Sequence, residues 1–234
     1  MGNSQENLWN IIVNKSDNKS YIAYRNNGLV DTVVLTDGGD NQEHCAESLK
    51  WLTEQCCRTM LEEFPRYLEI EEFQAKRSFL LSLRRLIEEC MERTGLPKES
   101  CSSTILSACV DWGRGLYCAF QLGNGIIITN GAIPEPVFYP FNFRRKRDAN
   151  TTIAEEALVD LRFVRGNMED IQGFILLASD RYTYPLCERE LLGLVQAGEC
   201  RKEELERLGI AVLHREGHIY GRKDEYTGCG KRRE

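Results

Sequence analysis

Apolar residues in this chain recur with a strand-like period, switch to a helical period between Glu43 and Arg93, and then switch back. Before the switch, Leu8 to Val13, Ser20 to Tyr24 and Leu29 to Thr36 read as strands, with Asn26-Asn27-Gly28 as a hairpin turn. Within it, Glu43 to Glu63 puts Cys45, Leu49, Leu52, Cys56 and Met60 on one stripe, and Phe64-Pro65 is expected to end that helix. A second helix, Glu69 to Arg93, aligns Phe79, Leu83, Leu86 and Cys90 and stops at Thr94-Gly95-Leu96-Pro97. Both stripes are those of helices packed on a core.

After the switch, Ser103 to Val110 and Leu116 to Leu122 read as strands, followed by a tight turn at Gly123-Asn124-Gly125 and a short strand, Ile126 to Thr129. Residues 131–152 form an irregular excursion that carries the basic run Arg144-Arg145-Lys146-Arg147. Ala157 to Val164 and Gly173 to Ala178 are again strand-like. Helices are expected over Leu186 to Gln196 and Arg201 to Leu208, then a short strand-like tail. Strands, two consecutive long helices, strands and then helices is the order of an α+β layered domain rather than of alternating β-α-β units. At 234 residues, one domain spanning 1–234 can bury a substantial core.

Composition excludes several functions. A formal net charge of -6 argues against a general nucleic-acid binder. No apolar stretch approaches the roughly 20 residues that span a bilayer, and the polar start Met-Gly-Asn-Ser-Gln-Glu lacks both a signal-peptide core and the Ser or Thr that myristoylation needs at Glu6. A cytoplasmic protein is expected. The ten cysteines form no C-x-x-C pair, and the three histidines (His44, His214, His218) lack paired cysteines, so reduced, buried thiols are expected and a structural zinc site is not.

Two apolar runs each end on an aspartate: Val33-Val34-Leu35-Thr36-Asp37-Gly38-Gly39 and Phe174-Ile175-Leu176-Leu177-Ala178-Ser179-Asp180. Read as buried strands, they deliver two carboxylates to strand ends at the rim of a core. Gly38 lets the backbone approach a ligand and turn its carbonyl toward it. Asp224, in Asp224-Glu225-Tyr226-Thr227, supplies a third acid. Any one of these acids alone is what a polar turn at a strand end would also show. Together, carboxylates without matching cysteines or histidines favour hard cations such as magnesium or manganese over zinc.

Other phosphate chemistry fails on spacing. A cysteine phosphatase needs an arginine six residues after its nucleophile; Cys45 has Trp51 there, and no other cysteine meets the requirement. Around Gly228-Cys229-Gly230-Lys231, Glu225 stands where a phosphate loop needs its first glycine, and Arg232 where it needs Ser or Thr. The basic run at 144–147 reads as solvated surface, with attraction of an anionic substrate as its alternative.

These residues resemble the metal-dependent type 2C protein serine/threonine phosphatases, over most of the chain. Asp37-Gly38-Gly39 before a long helix is similar to the family's Asp-Gly-Met-Gly-Gly, and Ser103-Thr104 to its strand-opening Ser-Thr pair. Gly123-Asn124-Gly125 is similar to its Gly-Asp turn, Ser179-Asp180 to its Ser-Asp-Gly, and Asp224-Glu225-Tyr226-Thr227 to its closing acidic motif. The stretch from Asn150 to Asp180 looks most like a compact bacterial branch.

The resemblance implies a four-layer sandwich of two antiparallel β-sheets flanked by helix pairs, with two divalent cations, Mn or Mg, at one end. Asp37 would bridge the ions, Gly38 would offer its carbonyl, Asp180 and Asp224 would complete the set, and Asp17, in Ser16-Asp17-Asn18, is the nearest match to an N-terminal acidic element. A water held between the ions would attack phosphorus, so no residue nucleophile is implied. The implied substrates are phosphoproteins made by a partner Ser/Thr kinase in bacterial signalling. Arg181 stands where the family has glycine, Asn124 where it has aspartate, and the phosphate-binding arginine has no match. Those departures define the alternative: a catalytically impaired relative that binds phosphoproteins or regulators without turnover.

Overall fold

The computed structural model describes residues 20–38, 46–123, 125–131, 135–138, 152, 157–169, 171–177 and 210–214. Strand β1 (Ser20–Asn26) turns through Gly28, whose φ of 90° suits glycine, into β2 (Val30–Gly38). Helices α1 (Ala46–Glu69) and α2 (Glu72–Thr94) follow, then a 3-10 turn (Lys98–Cys101) and the strands β3 (Ser103–Asp111) and β4 (Leu116–Leu122). The later elements are β5 (Ile126–Gly131), β6 (Glu135–Pro136), a one-turn helix α3 (Ala157–Asp160), β7 (Arg162–Asn167), β8 (Ile171–Leu177) and β9 (Ile210–His214).

The strands form two sheets, ordered β1-β2-β3-β4-β7 and β6-β5-β8-β9, with antiparallel pairing throughout. This is the α+β arrangement that the order of periods predicts. Because side chains alternate across a strand, each strand of the first sheet feeds two cores. Val34, Cys109, Cys118, Phe120 and Phe163 pack with Leu52, Cys56, Met60, Phe79 and Leu83 of the two helices. Val33, Leu35, Leu106, Ala108, Val110 and Ala119 face the other way and pack with Ile127, Phe174 and Leu176 of the second sheet. The helices expected over 186–208, the strand expected over Leu8–Val13 and the basic run at 144–147 lie outside the described residues. No described helix is long and apolar enough to cross a membrane.

Two expectations are corrected. Phe64-Pro65 does not end the first helix: Pro65 lies inside α1, which runs on to Glu69. Proline there removes one intrahelical bond and costs about 3 kcal/mol. Phe64 and Tyr67 flank it with no exposed surface, and burying two such aromatic side chains contributes about as much or more. The end of α1 is also held from β7, where Arg165 donates to the carbonyls of Tyr67, Leu68 and Ile70 at 3.1, 2.8 and 2.6 Å. The second correction concerns residues 157–164, whose first part is helical rather than extended. Leu161 donates its N–H to the carbonyl of Ala157, and both side chains are buried against the helix layer, so β7 starts only at Arg162.

Candidate active site at one end of the sandwich

β2 ends on Asp37 and Gly38, and across the antiparallel ladder these pair with Thr104 and Ser103 at the start of β3. Asp37 shares the parity of Val33 and Leu35, and Thr104 that of Leu106 and Ala108, so both stand on the face between the sheets. Directly opposed residues on one face have Cβ atoms about 5 Å apart, close enough to act on one ligand. Asp37 is half-buried, whereas Thr104 is buried. The Thr104 hydroxyl has no hydrogen-bond partner among the described residues, a state that costs about 1–3 kcal/mol unless something else satisfies it.

The strand is fixed from behind. Thr36, on the opposite face, shares a 2.6 Å hydrogen bond with the Thr53 hydroxyl, which donates at 2.5 Å to the carbonyl of Leu49 in α1. The residue next to Asp37 is thereby locked to the helix layer.

The ladder also shows which other strand ends share this end of the molecule. Ile105, beside Thr104, pairs with Leu122 at the end of β4. From Leu122 the chain crosses to Ile126, the first residue of β5, a span of at most about 14 Å. Gly123 and Gly125 hold φ of 85° and 134° in that crossing, and the Gln121 amide donates to their carbonyls at 3.4 and 2.9 Å. Ile126 in turn pairs with Leu177, the last residue of β8. Both apolar runs that lead to an aspartate therefore leave their sheets at the same end of the sandwich.

Of the five residues read from sequence as metal ligands, Asp37 and Gly38 occupy this rim. Asp17, Asp180 and Asp224 lie outside the described residues. Among the described residues no group of three or more His, Cys, Asp or Glu could hold a metal ion. What the rim does offer is a carboxylate and a glycine carbonyl, oxygen ligands of the kind that hard cations take, beside a hydroxyl that has no partner among the described residues and can donate to a phosphoryl oxygen. The Thr104 hydroxyl went unassigned from sequence, although the alternation of β3 puts it on the Asp37 face. Gln121 carried no sequence signal beyond its place in a strand.

Cys56, Cys57 and Cys118 offer no rival nucleophile. Burial, reinforced by the neighbouring Cys109, pushes the Cys56 thiol up to about 12, and burial likewise raises Cys57 and Cys118 well above the ordinary thiol range. Cys56, Cys57, Cys90, Cys109 and Cys118 form no disulfide.

Several solved structures share this architecture. A bacterial serine phosphatase superposes with a TM-score of 0.58 at 12% identity, over 90% of this chain and 98% of that one. The chain has a serine/threonine phosphatase fold. Serine/threonine phosphatase Stp1 from Staphylococcus aureus matches with a TM-score of 0.59 at 12% identity, over 88% of this chain and 93% of its own. The photosystem II phosphatase PBCP matches with 0.52 at 11% identity, over 80% of this chain and 70% of its own. No family model matches the sequence, nor does any curated protein. The shared fold is the one that the type 2C resemblance implies.

Proposed function

We propose that this chain is a divalent-cation-dependent phosphatase of phosphorylated serine and threonine in proteins, folded as one domain over 1–234. The observation that carries the reading is the coincidence at one end of the sandwich. There the Asp37–Thr104 rung, whose hydroxyl has no partner among the described residues, shares an end of the sandwich with the exit of β8, three residues ahead of Asp180. Asp37, Gly38, Asp180 and Asp224, with Asp17, are the residues that would hold Mn or Mg. When bound, such ions neutralise charge on phosphoryl oxygens and lower the pKa of an attacking water. The chain's own contribution is to fix Asp37 by the Thr36–Thr53 lock and to present the Thr104 hydroxyl as a donor on the same face.

The net charge of -6 argues against nucleic acid as the ligand, and the substrate in this reading is a phosphoprotein made by a partner Ser/Thr kinase in the cytoplasm, as the type 2C resemblance implies. The second reading is a phosphoprotein-binding relative without turnover. It is favoured by Arg181 and Asn124, which replace a glycine and an acid of the family pattern. Manganese-dependent hydrolysis of p-nitrophenyl phosphate decides between them. The enzyme reading predicts turnover by wild type that Asp37→Asn abolishes. Equal background rates in both leave the binding module.

A further inference from the structure

The start of β3 is held by a residue that lies far along the chain. Thr152 is 3% exposed; its N–H donates to the carbonyl of Ser103 at 3.0 Å, and its hydroxyl donates to the carbonyl of Cys101 at 2.5 Å. These two carbonyls flank Ser102, whose own N–H turns back to Glu99 at 3.0 Å to close the 3-10 turn. A second donor to Cys101, the Ser103 hydroxyl, stands farther off at 3.5 Å. Thr152 thus grips both sides of the junction between the 3-10 turn and β3. The next residues up the strand, Ser103 and Thr104, are the ladder partners of Gly38 and Asp37.

We propose that Thr152 is a positioning residue for the candidate site, a role that rests on the phosphatase reading. Its two hydrogen bonds fix the height at which β3 enters the sheet, and so set the Thr104 hydroxyl against Asp37. β3 enters from a turn rather than from a regular element, so its first rung has no support from a preceding ladder residue. A side chain contributed from 51 positions away supplies it. The backbone amide holds Ser103, and the hydroxyl adds Cys101 on the other side of Ser102, so that the 3-10 turn and β3 are tied to one residue. Valine at this position keeps the shape and the N–H while losing the hydroxyl, and serine keeps the hydroxyl.

The test uses the full chain with Thr152→Val and Thr152→Ser, read by amide hydrogen exchange and by manganese-dependent hydrolysis of p-nitrophenyl phosphate. In Thr152→Val, exchange at residues 36–38 and 103–105 is expected to quicken about fivefold or more, with Val33, Val34 and Ala108 in mid-strand unchanged. The kcat is expected to fall about fivefold to tenfold with KM unchanged, as for a lost supporting partner of a ligand residue. Thr152→Ser is expected to restore both. Unchanged exchange at the rung, acceleration spread evenly through the sheet, or serine behaving like valine would each overturn the clamp. Local acceleration with an unaltered kcat would overturn its role in positioning. If wild type hydrolyses nothing, the phosphatase reading fails by itself, and the exchange profile still decides whether Thr152 holds the rung.

Discussion

Asp31 and Asp37 stand on one strand and on one face of it, near its two ends, and the chain treats them in opposite ways. Asp31 is 1% exposed and accepts hydrogen bonds from the Tyr24 hydroxyl, the Asn26 amide and the Trp112 indole, each at 2.5 Å. Burial and the bond to Asp31 hold the Tyr24 hydroxyl protonated well above its ordinary range. Two hairpins close that end: β1–β2, pinned by the Asn27 side chain on the N–H groups of Leu29 and Val30, and β3–β4, pinned by Asp111 and Arg114. The other end is half-open: Asp37 is half-buried beside a glycine and opposite a hydroxyl with no described partner. A carboxylate at a strand end is thus either buried in a knot of donors, as Asp31 is, or half-exposed opposite a hydroxyl that has no described partner, as Asp37 is. Neighbours tell the two apart, not residue type.

Substitutions can break this contrast. Asp37→Asn is expected to lower manganese-dependent hydrolysis on the order of a thousandfold, with chemical denaturation showing nearly unchanged stability; a large loss of stability would move Asp37 into the structural class. Asp31→Ala reverses the pattern: three donors, from Tyr24, Asn26 and Trp112, lose their buried acceptor, at a cost of about 3–5 kcal/mol in unfolding free energy. Its kcat per folded molecule is expected to match wild type. Thr104→Val sharpens the contrast further. Removing a buried hydroxyl that has no partner among the described residues is expected to leave stability equal or up to about 1 kcal/mol higher and to lower hydrolysis about tenfold. Equal activity would show that the hydroxyl serves no ligand.

Smaller effects concern charge. Burial works to raise the Asp111 carboxyl, but the backbone N–H and guanidinium of Arg114 outweigh it and hold the group below its ordinary value. A depressed folded pKa contributes stability that is complete above the unfolded value, near 3.9, and is lost as pH falls through the folded one. Arg114→Gln is therefore expected to be less stable than wild type at neutral pH and to converge with it once the pH has fallen below the depressed folded value. A gap that persists in acid would contradict the assignment. Last, iodoacetamide at pH 8 is expected to leave Cys56, Cys57 and Cys118 unmodified in native protein and to label them after unfolding, as mass spectrometry reads directly.

How far the sequence carried these conclusions differs by region. The first sheet and its helices were legible because the strands read as apolar runs or, at Leu116 to Leu122, as alternation, and because each helix shows an apolar stripe over several turns. The Asn26-Asn27-Gly28 turn and the Gly95 cap, with φ of 68°, follow from local chemistry alone. The Pro65 boundary misled because a local rule was overridden by tertiary burial of Phe64 and Tyr67. Residues 157–160 misled because a four-residue helical turn is too short for its period to show. At the site, Asp37 and Gly38 announced themselves as a strand end with a glycine. Ser103-Thr104 matched a family motif, but the place of Thr104 opposite Asp37 became visible only once the β2–β3 register was known, since nothing local distinguishes a hydroxyl facing a ligand from one facing a core. Asp31 was invisible for the converse reason: its donors come from 24, 26 and 112, which only the fold brings together.

The most direct test is calorimetric titration of manganese into wild type, Asp31→Asn and Asp37→Asn at matched folded concentrations. The account predicts that wild type and Asp31→Asn bind alike, the latter with lower stability, and that Asp37→Asn loses binding while keeping its stability. Manganese bound by Asp37→Asn as tightly as by wild type would contradict it, because the carboxylate at the open end of β2 would then hold no ion.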